Sequence, residues 1–196
     1  MSGHAPHEHD NKAVALVIAV LALMLAISEI FGQKAQTATL QSNIEASNLW
    51  AFYQAKTIRK TVTESFADEV DLLQLAATDP AQKKAMQERV AKWRAAADRY
   101  ESEQGKPILD PKTKKETGKF EPGEGRKELI SRAKDAEKTR DKYGIKHVRF
   151  EFATGAFQIA IVLASASIIT SMVALLWMAG GLGGIGVILL LSGFLI

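Results

Sequence analysis

The chain has 196 residues, with 25 Lys and Arg against 22 Asp and Glu, a formal net charge of +3 and no cysteine. Without cysteine there is no disulfide, thiolate nucleophile or cysteine-ligated metal cluster. A small, dispersed positive excess does not make a nucleic-acid-binding surface, and a middle segment rich in Ala, Glu, Lys, Gln and Arg favours long helices over sheet.

Residues 1–12 form a polar tail in which His4, His7 and His9 make H-x-x-H-x-H beside Glu8 and Asp10. Imidazoles next to carboxylates ligate zinc, nickel or copper. Nothing in the sequence preorganises the tail, so it reads as a solvated leader, or at most a weak site for a divalent metal, and no other cofactor is expected. Residues 13–31, AVALVIAVLALMLAISEIF, hold one charge in about 19 residues, enough to cross a hydrocarbon core of about 30 Å. A cleaved signal peptide fits less well, because Lys12 is the one fixed side-chain cation before the run, Glu29 interrupts its end, and no A-x-A site follows closely.

Residues 32–152 are the soluble part, with 24 cations against 19 carboxylates, a net +5. From Gln36 to Thr78 there is neither Pro nor Gly, and Leu40, Ile44, Ser47, Ala51, Ile58 and Val62 recur at helical spacing, which predicts a packed helical stripe. Trp50, Phe52 and Tyr53 flank it. Asp79-Pro80 reads as an N-cap followed by a proline in the first turn, opening a second helix with Met86, Val90, Trp93, Ala97 and Tyr100 on one face. Residues 105–123 carry Pro107, Pro111, Gly118, Pro122 and Gly123 among lysines and read as a flexible loop. Helix resumes near Glu124 through Leu129, Ala133, Ala136 and Tyr143, with Gly144 as a place for a break. The result is a pair of long antiparallel arms, a helical hairpin or coiled coil, each arm running into a membrane span.

Residues 153–178 hold no charge and predict a second span. The run Ala179-Gly180-Gly181-Leu182-Gly183-Gly184 predicts a sharp reversal, leaving residues 180–196 as a spanning or re-entrant third helix near the lower length limit. Ala156, Ala160 and Ala164 repeat every four residues, and Gly180 with Gly184 makes G-x-x-x-G; small faces of this kind let membrane helices approach closely, within or between subunits. Lys34, Lys142, Lys146 and Arg149 beside the spans, against Lys12 on the other side, place the middle domain in the cytoplasm by the positive-inside rule. Glu29 and Glu151 then fall at the same membrane face, as boundary charges paired with Lys34, His147 or Arg149, or as part of a cation or proton relay.

No G-x-x-x-x-G-K-[ST], H-E-x-x-H or G-x-S-x-G occurs, and the carboxylates of the arms interleave with Lys and Arg as a solvated surface does. The chain therefore reads as a non-enzyme, an all-α membrane protein. Thin helical arms with surplus aromatic surface predict burial between copies of the chain, in a homo-oligomeric scaffold or as an accessory subunit of a larger membrane complex. An ion channel or transporter using Glu29 and Glu151, and metal binding by the tail, are the alternatives.

The stretch Ala46 to Lys60, ASNLWAFYQAKTIRK, together with Phe150 to Trp177, FEFATGAFQIAIVLASASIITSMVALLW, closely resembles the bacterial domain of unknown function 4337 family over nearly the whole chain. The resemblance implies a bacterial membrane protein of the inner membrane and carries over no activity, cofactor or functional residue. It draws attention to Trp50, Tyr53, Gln54 and Lys56. These lie too far beyond Phe31 along a straight helix to sit at lipid headgroups, so they are interface candidates, with core packing inside one subunit as the alternative.

Overall fold

The computed structural model describes residues 7–103, 105–109, 111 and 116–196. Four helices and one short hairpin follow in the order α1 (His7–Ala76), α2 (Pro80–Glu101), β1 (Pro107–Leu109), β2 (Glu116–Phe120), α3 (Arg126–Thr170) and α4 (Val173–Leu195). The fold is all-α apart from the hairpin, and α1, α3 and α4 are each long and apolar enough to cross a membrane. The chain divides into two compact units, Asn43–Glu137 and the described residues up to Ser42 with Lys138–Ile196.

In the unit containing the apolar helices, Leu21, Phe150, Ala153, Phe157, Ala160 and Leu190 form the main core. Val14, Ala164 and Ala179 form a second cluster. Ala156 is 9% exposed and Ala160 and Ala164 are fully buried, so the expected alanine face packs inside the subunit. Phe31 and Phe150 both meet the ring of Phe194, edge to face, at 4.7 and 5.4 Å. Hydrogen bonds join α1 to α3 beside this core: Ser28 Oγ donates to the Phe150 carbonyl at 2.8 Å, and Thr154 Oγ1 donates to Ser28 Oγ at 3.0 Å. Where no water competes, such bonds leave no buried polar group unpaired.

The reversal expected at the glycine run occurs earlier, at Ser171 and Met172. Ser171 takes a left-handed φ of 55° and Met172 is the N-cap of α4. The glycines instead lie inside α4, where Ala179, Gly183, Gly186, Leu190 and Gly193 make its buried face. A Cβ at Gly186 would stand 2.7 Å from the fully buried Phe157 ring, and one at Gly193 2.7 Å from Phe150. Glycine is used here for close approach, not for a turn. The earlier break gives α4 23 residues, about 34 Å at 1.5 Å per residue, enough to cross a bilayer core in full.

In the unit Asn43–Glu137, Ala46 and Leu49 of α1 pack on Leu129, Ala133 and Ala136 of α3, with Trp50 and Tyr53 closing the cluster. The expected start of α2 is present: Asp79 Oδ1 accepts from the Ala81 N–H at 2.9 Å, and Pro80 is the first helical residue. Val90 and Ala97 are buried and the Trp93 ring lies 6.0 Å from Phe66. α3 passes through Gly144 without a break.

Two expectations are corrected in this unit. The stretch 105–123 contains an antiparallel hairpin in place of an entirely structureless loop, with Pro107 opposite Phe120 and Leu109 opposite Glu116; Ile108, Leu109 and Phe120 supply strand-forming side chains, and proline is tolerated as the first residue of a strand. The apolar stripe of α1 faces outward: Ile44, Ile58 and Val62 are 60%, 64% and 47% exposed. Small residues such as Ala46 and Ala133 allow helices to approach more closely than β-branched side chains would, so the packed face is the one poorer in bulk.

Candidate functional site

The Trp50–Lys56 segment lies on α1, and helical periodicity turns Trp50, Tyr53 and Lys56 toward α2 and α3. Trp50 Nε1 donates to Glu137 Oε1 at 2.9 Å, and its ring meets Tyr53 edge-on at 5.6 Å. Tyr53 in turn belongs to a polar knot built by Arg126, the first residue of α3. The guanidinium donates to the Tyr53 hydroxyl at 3.0 Å, to Thr57 Oγ1 at 3.0 Å and to Glu101 Oε2 at 2.8 Å. Lys60 Nζ donates to the same Glu101 oxygen at 2.9 Å. Lys56, only 9% exposed, donates to Glu103 Oε2 at 3.2 Å and lies 5.6 Å from the centre of the Tyr100 ring. A planar fork on α3 that reaches both α1 and α2 fixes their relative placement better than a point charge would.

The charges tune one another. The hydrogen bond from Lys60, with the positive charges of Lys60 and Arg126, holds the Glu101 carboxyl below its usual range despite burial. The Arg126 hydrogen bond lowers the Tyr53 phenol, and the Tyr53 hydroxyl in turn raises the Arg126 guanidinium. Each group named in the knot has a protein partner. Gln54, the fourth residue singled out in this segment, is exposed on the other side of α1. Arg126 and Glu101 were not legible as partners from sequence; the signals that precede them are the Pro80-capped helix that ends at Glu101 and the glycines before Arg126.

In the unit containing the apolar helices, Glu29, Gly32, Gln33, His147, Glu151 and Thr154 line one open cleft of about 260 Å³. The structure thus brings the two predicted boundary carboxylates into one place and adds His147. Because a carbonyl only accepts, His147 Nδ1 carries the proton in its 3.2 Å bond to the Gly32 carbonyl, leaving Nε2 3.8 Å from Glu151 Oε2. Arg149 donates to the Ser192 carbonyl in the last turn of α4 at 3.3 Å, a cation placed at a helix C-terminus. Gly180 and Gly184 have open space where a side chain would stand and take no part in packing within the subunit.

His4 lies outside the described residues, and of His7 and His9 only the helical backbone is described. Among the described residues no group of three or more His, Asp and Glu stands close enough to hold a metal ion.

The chain matches the family described as Domain of unknown function (DUF4337) over residues 10–196, nearly its whole length, and belongs to that family. No curated protein and no solved structure matches it.

Proposed function

We propose that this member of the DUF4337 family is a non-enzymatic protein of the bacterial inner membrane that builds assemblies, as a homo-oligomeric scaffold or as an accessory subunit of a larger membrane complex. The observation that carries the reading is the exposed apolar face of α1, with Ile44, Ile58 and Val62 each about half exposed or more, while Ala46, Leu49, Lys56 and Ala67 of the same helix are buried. Apolar surface of this kind on a soluble segment marks association. The Arg126 knot supports the same reading, because it spends the unit's best hydrogen-bonding groups on rigidity. Positive-inside places Asn43–Glu137 in the cytoplasm, with Lys34, Lys142 and Lys146 next to the spans.

Gentle solubilisation of native membranes, followed by mass measurement of what elutes with the chain, tests this. A uniform homo-oligomer supports a scaffold and a defined set of companions supports an accessory subunit. A bare monomer contradicts both.

One observation favours a second reading, a cation or proton pathway: the Glu29, His147 and Glu151 side chains share one cleft. It predicts ion flux in liposomes that Glu29→Gln or Glu151→Gln alters, whereas a scaffold gives no flux in either form. Metal binding by His4, His7 and His9 predicts stoichiometric metal retention that is lost when residues 1–11 are deleted.

A further inference from the structure

We infer that the outward face of α1 between Ile44 and Val62 is a seam for a second copy of this chain, met in parallel and in register. The inference rests on the assembly reading above and gives it a surface and a partner. Ile44, Ala51 and Ile58 recur every seven residues, with Ser47 and Gln54 between them, and all are exposed. A seven-residue period is the one at which two α-helices wind about each other and keep the same side in contact.

Charge selects the partner. Between Asn43 and Phe66 the charged residues are Glu45, Lys56, Arg59, Lys60 and Glu64. At 100° per residue all of them fall on the inward face or its flanks, and none falls on the line through Ile44, Ala51, Ile58 and Val62. A face without charge does not repel its own copy. Its polar members also suit self-pairing: a serine hydroxyl and a glutamine amide each contain both donor and acceptor, so each can bond to its own counterpart across a twofold axis. A carboxylate or ammonium at the same place could not. The missing cations exclude a nucleic-acid surface, and Ser47 and Gln54 between the apolar positions disfavour a lipid.

Geometry adds to this. The apolar run ending at Phe31 gives every copy in one bilayer the same orientation along α1, so equivalent residues meet at the same height. Confinement to a membrane also raises their effective concentration, and a modest seam then suffices. Within the seam the β-branched Ile44, Ile58 and Val62 supply the contact area, and Ser47 and Gln54 set the register as buried polar residues do in coiled coils.

The chain has no native cysteine, so each introduced one reports alone. Ala51→Cys and Ile58→Cys are placed on the seam, while Glu45→Cys and Arg59→Cys are also exposed but rotated off it. Mild oxidation in native membranes should give disulfide dimers at 51 and 58, at least tenfold more than at 45 and 59. Adding Ile58→Lys should abolish the cross-link at 51 while leaving the helical content and unfolding temperature unchanged, since Ile58 is 64% exposed. Equal cross-linking at all four positions overturns the seam, as does a cross-link at 51 that survives Ile58→Lys. If none of the four cross-links while the homo-oligomeric mass persists, the seam is wrong and the assembly reading stands. A monomeric mass removes both.

Discussion

The two faces of α1 between Asn43 and Ala67 carry opposite chemistry to their surroundings. The face turned inward is built from Ala46, Leu49, Lys56 and Ala67, which are buried, and Tyr53, which is half-buried, small or polar apart from one leucine. The face turned outward carries Ile44, Ile58 and Val62, and these are exposed. In a helix that packs only within its own subunit the bulkier apolar side is expected to face the core. Here the subunit's own partners, α2 and α3, occupy the side that allows close approach and a shared polar knot. The bulk that promotes association is left for another chain.

Leu49→Ala should produce the largest effect, because Leu49 is 6% exposed in the Ala46–Ala136 cluster. Losing a buried leucine typically costs about 2–5 kcal/mol, seen as a lowered thermal midpoint, whereas Ile44→Ala in detergent-separated chains should stay within about 0.5 kcal/mol of wild type. Equal destabilisation by the two substitutions would erase the difference between the faces.

The same contrast exists inside α4. Gly186→Leu would drive a side chain into the fully buried Phe157 ring, and overpacking of this kind costs roughly 1–3 kcal/mol. Gly184→Leu, pointing into open space, should leave the unfolding midpoint of the isolated chain near wild type. Comparable losses at both positions would show that the packed side of α4 has been misassigned.

A smaller effect is expected from pH. Lys60 and Arg126 hold the Glu101 carboxyl below its ordinary value, so its contribution is fully present above the usual glutamate pKa of about 4.3. It is lost as pH falls from there through the depressed folded-state value. Glu101→Gln should lower stability at neutral pH and flatten the acid limb of a pH-stability curve; an unchanged acid limb would show that the knot contributes nothing measurable. Smallest of all, Gly184→Ala should raise helix stability by at most about 1 kcal/mol, since it adds a methyl to an open helical position.

The spans and α2 were legible in the sequence for simple reasons. Apolar length identifies a span, and Asp79-Pro80 followed by Met86, Val90, Trp93 and Ala97 marks both a helix start and its buried side. The periodicity of α1 was equally visible, but its direction was not. Ala46, Tyr53 and Lys56 share a period of their own, and only the positions of Leu129, Ala133 and Arg126, distant in sequence, decide which side is covered. The α3–α4 break was hidden because Ser171 and Met172 scarcely interrupt the hydropathy, while the later glycines imitate a turn and serve close packing instead. Of the boundary cleft, Glu29 and Glu151 were legible from their places at the span ends, and the addition of His147 came from the way α1 and α3 face each other within that unit.

The central claim is that the outward face of α1 joins copies of the chain, and mass measurement of the double variant Ile44→Lys/Ile58→Lys beside wild type in the same mild detergent tests it most directly. Wild type should run as an integer multiple of the chain mass and the variant as a single chain with an unaltered unfolding temperature. A variant that keeps the wild-type mass would contradict the account.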